Sequence, residues 1–309
     1  MAAEMAEVID GVACAADLRL EVQAEVERLA QGGVRAGLAT IMVGRDYPSV
    51  AYEVRLKRLA EELGVHYRRE AVHADADTAE VLAVVERCNE DPEVNGILVL
   101  RPLPPGVSEA ALYQVLDPEK DVEAVTPVNA GLLALGTPHF VPSTPAACYR
   151  LLDLYLDRSA DDRVALYRRS TIVVVGRSLN VGRPMVALGM ARDAIVVSCD
   201  EHASAAGRLA ELTLQADILI VAAGVPGLVG GDLVREGAIV VDVGINPQPG
   251  PSGETRIVGD VRFSEVLAKA RAVTPVPGGV GPVTDVWLVR NAVLAARRAA
   301  ARTLCLPPG

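Results

Sequence analysis

Short apolar runs alternate along this chain with amphipathic patterns of helical period. In the first half the apolar run Leu38–Val43 precedes the helical pattern Val50–Leu63, and Gly96–Leu100 follows the helical pattern Thr78–Cys88. The alternation resumes later through these segments: Ser170–Val175, Pro184–Arg192, Ala194–Ser198, Asp217–Ala222 and Ala238–Val243. Such alternation predicts βαβ units around a mainly parallel sheet, and the expected fold class is α/β.

Two segments rich in Gly and Pro predict where the domains divide. Thr126–Pro145 separates the two series and precedes a helical stretch from Ala146 to about Asp157. The segment TPVPGGVGPVT follows Val273 and reads as a rigid loop, after which Asp285–Thr303 has the pattern of an apolar helix. We therefore predict one domain over residues 1–147 and a second over residues 148–284, with residues 285–309 returning to complete the first.

Composition narrows the classes of function. Half of the residues are hydrophobic, only 3% are aromatic, and the formal charge is −10 with no run of Lys or Arg. This argues against nucleic acid or an acidic membrane as a partner and favours a small molecule. The five cysteines form no CxxC pair and do not cluster with the four histidines, so neither a bound metal nor a disulfide framework is expected. No apolar run is long enough to span a bilayer, and a cytoplasmic protein is predicted.

A glycine loop in the second half indicates a binding site for a phosphate group. The predicted strand Thr171–Val175 runs into Gly176-Arg177-Ser178-Leu179-Asn180-Val181-Gly182-Arg183-Pro184, and proline suits the first turn of a helix. Free N–H groups at the start of a helix, together with its dipole, favour an anion such as a pyrophosphate. The spacing differs from GxGxxG, so an ordinary tight turn between strand and helix stays open as an alternative.

The choice between NAD and NADP depends on the acids after the next strand. Asp200 follows Gly176 at close to the spacing of roughly 20 residues expected for the carboxylate that holds the adenosine ribose. Such a carboxylate would repel a 2′-phosphate, which favours NAD, whereas Arg177 could reach a 2′-phosphate. Asp200 and Glu201 could also be solvated loop residues. The expected cofactor is therefore NAD or NADP, with NAD favoured.

Several motifs in the same order resemble the bifunctional methylenetetrahydrofolate dehydrogenase/cyclohydrolase family nearly from end to end. The segments that carry the resemblance are VIDG at 8–11, MVGRDYPSVAY at 42–52, NGILV at 95–99, PLP at 102–104, DPEKDVEAVTPVNAG at 117–131, VPSTPAA at 141–147, VVVGRS…VG.P at 173–184, VVDVGIN at 240–246, VGDV at 258–261 and TPVPGGVGP at 274–282. The last of these is highly specific.

The resemblance implies a fold, a reaction and an assembly. The implied fold is an N-terminal catalytic domain completed by the C-terminal helix, together with a Rossmann-type cofactor domain, in a homodimer. The implied reaction passes a hydride from methylenetetrahydrofolate to the nicotinamide cofactor, and water then opens the methenyl product to formyltetrahydrofolate. The hydride step needs mainly the correct placement of the reacting atoms, whereas hydrolysis needs polar groups that handle protons.

Two substitutions predict that the hydrolytic step is weak or lost. The family has a lysine four residues after a tyrosine on one helix, but here Tyr52 is followed by Leu56, with Lys57 next to it. At roughly 100° per residue, Leu56 lies about 40° from Tyr52 around the helix axis and Lys57 about 140° away, so Lys57 is expected to point elsewhere. The family glutamine that supports the lysine is matched by Leu100. Replacing both avoids a polar group buried without its partner.

Two acids leave the identity of the substrate open. Glu123 stands where the family has the aspartate that binds the pterin, and Asp285 stands where an apolar residue is usual. Asp285 is either an acid stabilised at a helix N-terminus or the second member of a new acidic pair with Glu123. The leading hypothesis is a methylenetetrahydrofolate dehydrogenase. The alternatives are an oxidoreductase of the same fold acting on a different iminium or one-carbon adduct, and a catalytically silent paralogue that binds folate or nucleotide.

The resemblance also assigns binding residues by position. With Glu123 and Asp285, the substrate residues are Ser49, Tyr52, Val99, Pro102, Gly278, Gly279 and Pro282, and the positions tied to catalysis are Tyr52, Leu56, Leu100 and Glu123. The cofactor residues are Gly176, Arg177, Ser178, Val181, Gly182, Pro184, Asp200, Glu201, Ala223, Gly224, Gly244, Ile245 and Thr284.

Overall fold

The computed structural model describes residues 6–159, 162–250 and 254–305, and the chain divides into two compact units. We call them the six-stranded unit and the three-stranded unit after their main sheets. The six-stranded unit comprises the described residues up to Ala15 and the segment Thr144–Thr284. The three-stranded unit comprises Ala16–Ser143 and the described residues from Asp285 onward. Residues before Ala16, expected in the first domain, thus group with the six-stranded unit.

Within the described residues the strands are β1 (Glu7–Val8), β2 (Gly37–Val43), β3 (His66–Val72), β4 (Gly96–Val99), β5 (Thr171–Val175), β6 (Ile195–Cys199), β7 (Ile218–Val221), β8 (Ile239–Asp242), β9 (Asn246–Pro249), β10 (Thr255–Val258) and β11 (Ala272–Val273). The α-helices are α1 (Gly11–Gln31), α2 (Tyr47–Glu62), α3 (Thr78–Glu90), α4 (Glu109–Val115), α5 (Pro127–Ala134), α6 (Ser143–Arg158), α7 (Arg163–Arg169), α8 (Gly182–Met190), α9 (Glu201–Ala205), α10 (Leu209–Thr213), α11 (Phe263–Leu267) and α12 (Val280–Cys305), and a 3₁₀ turn spans Gly231–Leu233.

All neighbours in the six-stranded sheet pair in parallel, in the order β1-β11-β8-β7-β5-β6. Strands β7 and β8 are buried along their whole length, which explains their uninterrupted Val, Ile and Leu runs. The order reverses at β5, with β6 on one side and β7 on the other, and doubly wound sheets bind ligands at the carboxyl ends beside such a point. Pairing of β1 with β11 explains why the start of the chain groups with this unit.

The three-stranded sheet has the order β3-β2-β4, again with parallel pairs, and its central strand β2 is buried throughout. The part of α12 from Asp285 onward belongs to this unit. There Asn291, 1% exposed, donates from Nδ2 to the carbonyls of Val122 at 2.8 Å and Val141 at 2.9 Å. The C-terminal helix from Asp285 onward thus groups with the three-stranded unit, and the α/β class is confirmed.

Some predicted elements were wrong in extent. The Gly/Pro-rich segment Thr126–Pro145 contains helix α5, which begins because Thr126 accepts a hydrogen bond from the Asn129 N–H at 3.3 Å. The last helix begins at Val280 rather than Asp285. Pro282 is compatible with that start, because the N–H groups of the first turn have no partner within the helix. In the described part of the chain, no helix is both long enough and apolar enough to cross a membrane.

Candidate functional site

The glycine loop after β5 is packed so tightly that neither Gly176 nor Gly182 has room for a side chain. Gly176 has φ +113, and a Cβ at this position would collide with the Ala222 carbonyl. A Cβ on Gly182 would collide with the carbonyl of Gly176, and the Gly182 N–H donates to Ser178 Oγ at 3.3 Å. Helix α8 starts at Gly182, with the buried Pro184 in its first turn. The loop therefore presents backbone at a helix start, the arrangement that binds a phosphate group.

The Asp200 carboxylate lies directly after β6, and Arg177 contacts it from the loop after β5. Arg177 donates from Nη1 to Asp200 Oδ2 at 3.0 Å and from Nη2 to the Ser198 carbonyl at 2.8 Å. The other Asp200 oxygen caps α9 by accepting from the Ala203 N–H at 3.3 Å. Burial acts in the opposite direction, but the Ala203 N–H and the Arg177 charge hold the pKa of Asp200 below its ordinary value. Asp200 is thus an ionised helix cap, whereas Glu201 is exposed to solvent.

Two buried aspartates hold the loops after β7 and β8, and sequence reasoning did not single out either residue. Asp242, 3% exposed, accepts from the Gly244 N–H at 2.9 Å, and Asp260, 0% exposed, accepts from the N–H groups of Ala223 at 2.7 Å and Gly224 at 2.8 Å. Burial raises the pKa of Asp242 to about 6. The available signal was an acid within each of the apolar motifs VVDVGIN and VGDV. Of the predicted cofactor residues in these loops, Gly224 has φ +67 and Ile245 is 65% exposed.

The loop before α12 packs against the start of α1. The Gly11 N–H donates to the Gly278 carbonyl at 2.9 Å, and a Cβ on Gly11 would collide with the Gly279 carbonyl. Gly278 itself has φ +105. Pro282 lies in the first turn of α12, where the Thr284 hydroxyl donates to the Val280 carbonyl at 3.1 Å. Close packing of backbone on backbone accounts for part of the glycine requirement at these positions.

In the three-stranded unit, Leu56 is completely buried on α2, with 0% exposure. Lys57, the next residue, is 54% exposed, and its Nζ lies 3.8 Å from Glu61 Oε1 one helical turn away. This agrees with the orientation predicted from the helical period. Leu100, at the other predicted catalytic position, is 5% exposed just after β4. Both positions therefore present apolar surface within the fold.

Arg55 contacts both Asp285 and Tyr52 in the three-stranded unit. The Arg55 Nε is 2.8 Å from Asp285 Oδ2, and its guanidinium carbon lies 5.2 Å from the centre of the Tyr52 ring. Burial raises the pKa of Tyr52, and the charges of Asp285 and Glu123 raise it further, so the phenol is neutral. Asp285 is the sixth residue of α12 and lies beyond its first turn. Its interpretation as an acid stabilised at a helix N-terminus is therefore wrong.

Glu123 has an arginine partner that sequence reasoning missed. Arg101 Nη2 donates to Glu123 Oε2 at 2.7 Å, while Arg101 Nη1 lies 3.3 Å from Glu109 Oε1. Burial raises the pKa of Glu123, and the charge of Arg101 opposes that shift. Glu123 and Asp285 thus each have an arginine partner, and the charges of both carboxylates act on Tyr52. The signal for Arg101 was a cation placed directly after an apolar strand, where functional residues of parallel sheets occur.

The remaining predicted substrate residues flank Arg101. Ser49, 6% exposed, has its Oγ 3.0 Å from the Arg101 carbonyl oxygen and 3.3 Å from Asp46 Oδ2, and its hydroxyl hydrogen can be donated to one acceptor or the other. Val99 is the last residue of β4 and is 7% exposed, whereas Pro102 is exposed after a cis peptide bond with Arg101. Among the side chains described, no group of three or more His, Cys, Asp or Glu residues could hold a metal ion.

Comparisons with known proteins give consistent matches for both units. A family model described as the catalytic domain of tetrahydrofolate dehydrogenase/cyclohydrolase matches residues 9–123, and the NAD(P)-binding domain of the same family matches residues 142–300. The bifunctional protein FolD 3 of Rubrobacter xylanophilus is 59% identical over 98% of this chain and 97% of its own length.

Solved structures agree with these matches. The methylenetetrahydrofolate dehydrogenase-cyclohydrolase (FolD) of Trypanosoma brucei, complexed with NADP and an inhibitor, superimposes with a TM-score of 0.87 at 35% identity, covering 96% of this chain and 99% of that one. The NAD-dependent 5,10-methylenetetrahydrofolate dehydrogenase of Saccharomyces cerevisiae shares the fold, with a TM-score of 0.77 at 21% identity over 97% of this chain and 100% of that one.

Proposed function

The chain belongs to the tetrahydrofolate dehydrogenase/cyclohydrolase family, and we propose that it oxidises methylenetetrahydrofolate to methenyltetrahydrofolate with a nicotinamide dinucleotide as hydride acceptor. The observation that carries the proposal is the closed glycine loop after β5. Neither Gly176 nor Gly182 has room for a Cβ, so the backbone of this loop can approach a pyrophosphate closely at the start of α8, where the helix dipole favours an anion. When bound, the nicotinamide supplies the hydride acceptor.

We further propose that the preferred cofactor is NAD. Asp200 stands at the carboxyl end of β6, where the carboxylate that accepts from the adenosine ribose is expected. Its charge would repel a 2′-phosphate. Arg177, the residue that could attract such a phosphate, is engaged by Asp200 at 3.0 Å and by the Ser198 carbonyl at 2.8 Å. Binding NADP would require Arg177 to give up these contacts.

For the substrate, we assign recognition of the pterin to Glu123. A carboxylate can accept two hydrogen bonds from the amine and the adjacent ring nitrogen of the pterin. Arg101, held between Glu123 and Glu109, fixes the direction of that carboxylate. The neutral, partly buried ring of Tyr52 offers a surface for stacking, with Arg55 placed against it.

We propose that hydrolysis of the methenyl product is slow. The two positions that the family uses for it are Leu56 and Leu100, which are 0% and 5% exposed and carry no group able to transfer a proton. Lys57 lies on the exposed surface of α2 and is too far around the helix to replace the missing amine. Without proton transfer, general acid–base catalysis worth about 10²–10⁴-fold is absent.

We also propose that the enzyme is a cytoplasmic homodimer. The cytoplasmic assignment rests on composition, and the four cysteines Cys14, Cys88, Cys148 and Cys199 are all buried. Strand β6 forms an edge of the six-stranded sheet, and its Ile195 is 60% exposed, so a second copy could cover it. Light scattering during size-exclusion chromatography should give twice the mass of one chain, and a monomer would contradict the assembly.

The test of the activity is to incubate the purified protein with methylenetetrahydrofolate and either NAD or NADP. We expect methenyl absorbance to appear together with the reduced cofactor, faster with NAD, and to persist. Rapid formation of formyltetrahydrofolate would contradict the loss of hydrolysis, and faster turnover with NADP would contradict the cofactor preference. An absence of turnover would contradict the substrate.

A second candidate function follows from the two arginine–carboxylate pairs. Arg101 with Glu123 and Arg55 with Asp285 add charges to the substrate region, which would suit a different iminium or one-carbon adduct. Binding of NAD without binding of tetrahydrofolate in calorimetry would favour this candidate. Binding of both ligands without turnover of methylenetetrahydrofolate would instead indicate a catalytically silent paralogue.

A further inference from the structure

Two buried carboxylates connect the loops at the carboxyl ends of β7 and β8. Asp242 is the last residue of β8, and its oxygens accept from the N–H groups of Gly244 at 2.9 Å, Asp260 at 3.0 Å and Val261 at 3.1 Å. All three donors are uncharged backbone amides, so these hydrogen bonds to the Asp242 carboxylate are not ion pairs. Gly259 must be glycine at the same place, because a Cβ there would collide with Asp242 Oδ2.

Asp260 extends the same network to the loop after β7. Its Oδ2 accepts from the N–H groups of Ala223 at 2.7 Å and Gly224 at 2.8 Å, and its Oδ1 accepts from Asn246 Nδ2 at 2.8 Å. Asp260 is 0% exposed. Two carboxylates thus determine the orientation of the peptide groups in both loops, and they do so from inside the protein.

Because the peptide bond is planar, each N–H group that points inward to a carboxylate leaves the carbonyl of the same peptide pointing outward. In a trans peptide the carbonyl of one residue points opposite to the N–H of the next. Because the Gly224 N–H points at Asp260, the Ala223 carbonyl points away from Asp260. Because the Gly244 N–H points at Asp242, the Val243 carbonyl points away from Asp242. Ala223 and Val243 are both partly exposed.

The strand order indicates which part of a dinucleotide would meet these carbonyls. Asp200, at the adenosine end, follows β6, and the glycine loop for the pyrophosphate follows β5. In the order β8-β7-β5-β6, β7 and β8 lie on the side of β5 away from β6. A dinucleotide with its adenosine over β6 and its pyrophosphate over β5 must place its other half over β7 and β8.

We propose that Asp242 and Asp260 are positioning residues for the nicotinamide half of the cofactor. They hold the Ala223 and Val243 carbonyls outward as hydrogen-bond acceptors for the carboxamide. They do not touch the cofactor themselves. The inference rests on the part of the proposed function that concerns dinucleotide binding and is independent of the folate substrate.

The test compares binding of NAD with binding of ADP-ribose, which lacks the nicotinamide, in the full-length protein by calorimetry. Asp260→Asn leaves one oxygen for three donors, and an unpaired buried amide is costly. We expect the affinity for NAD to fall about tenfold or more, with the affinity for ADP-ribose unchanged within about twofold. Equal weakening of both ligands, or no change in either, would overturn the proposal.

Asp121 offers a matched control from the three-stranded unit. It is 0% exposed and accepts from the N–H groups of Val125 at 3.1 Å and Thr126 at 2.8 Å and from Asn129 Nδ2 at 2.9 Å. Like Asp260, it therefore has two backbone amides and one asparagine side chain as donors. Asp121→Asn should leave the ratio of NAD to ADP-ribose affinity unchanged. A ratio that shifts as much as in Asp260→Asn would show a general effect of losing a buried carboxylate and would overturn the proposal.

A second variant and a second measurement keep the test independent of folding and of turnover. A Cβ on Gly244 would collide with the backbone nitrogen and the carboxylate of Asp260, so Gly244→Ala disturbs the pair without removing a charge and should lower the same ratio. In the cofactor-free protein, amide hydrogen exchange at Ala223 and Gly224 should be protected in the wild type and faster in Asp260→Asn. Unchanged exchange would contradict the network. If the wild type binds NAD but does not oxidise methylenetetrahydrofolate, the proposed substrate fails while this inference stands.

Discussion

Replacing Asp242 with asparagine should change how the stability of the protein depends on pH. Asp242 is 3% exposed, and burial raises its pKa from an ordinary 3.8 to about 6, with the charge of Asp260 contributing. The folded chain therefore holds this proton more tightly than the unfolded chain does. The stability contributed by Asp242 is complete below about pH 4 and is lost as the pH rises through about 6.

The size of the effect follows from the shift in pKa. A change of about two units corresponds to about 3 kcal/mol, since each unit is worth about 1.4 kcal/mol. Asparagine does not titrate. The free energy of unfolding of the wild type, minus that of Asp242→Asn, should therefore fall by about 3 kcal/mol between about pH 4 and about pH 8.

Urea unfolding followed by circular dichroism at a series of pH values measures this difference. Thr274→Val is the matched control, because Thr274 Oγ1 accepts from the Asp242 N–H at 2.8 Å and valine removes that bond without adding or removing a titrating group. Its cost of about 1–3 kcal/mol should be the same at every pH. A wild-type advantage over Asp242→Asn that is constant with pH, or that grows as the pH rises, would refute the reasoning.

Three further predictions concern the activity. Asp200→Ser should raise kcat/KM for NADP relative to NAD by about tenfold or more, because Arg177 becomes available to a phosphate. The control Glu211→Gln breaks an exposed ion pair with Arg208 and should not change this ratio. An unchanged ratio in Asp200→Ser would contradict the assignment of Asp200. The double variant Leu56→Lys with Leu100→Gln should increase hydrolysis of methenyltetrahydrofolate, measured as loss of methenyl absorbance. Burying the lysine amine should lower the free energy of unfolding by on the order of 3 kcal/mol. No gain in hydrolysis would show that other residues prevent it. Glu123→Gln should raise the KM for methylenetetrahydrofolate about tenfold and leave the KM for the dinucleotide unchanged, and steady-state kinetics showing the reverse pattern would refute the role of Glu123.

Strands β7 and β8 of the six-stranded sheet were predictable because burial on both faces demands continuous apolar runs. Asp217–Ala222 and Ala238–Val243 were predicted as strands, and the structure has β7 and β8 within them. The three-stranded unit was harder to predict. Strand β3 (His66–Val72) has the sequence HYRREAV and a mixed burial pattern, since it lies at a sheet edge and carries charges. Only pairing along all seven residues with β2 identifies it as a strand.

The candidate site also has features that were predictable from the sequence and features that were not. Local geometry determined that Lys57 points away from Tyr52, because the helical period fixes that angle whatever the rest of the fold does. The partners of Glu123 and Asp285 could not be predicted, since Arg101 lies 22 positions before Glu123 and Arg55 lies 230 positions before Asp285. Contacts so distant in sequence leave no periodic signal.

The amino-acid sequence by itself determined the α/β class, the family and the loss of both polar groups at Leu56 and Leu100, because these depend on residue type and short-range spacing. The tertiary structure decided what each charge does. It paired Glu123 and Asp285 with arginines and buried Asp242 and Asp260 beneath two loops. The physical reason is that the effect of a carboxylate depends on its solvation and its hydrogen-bond donors, and both are supplied by segments that only folding brings together.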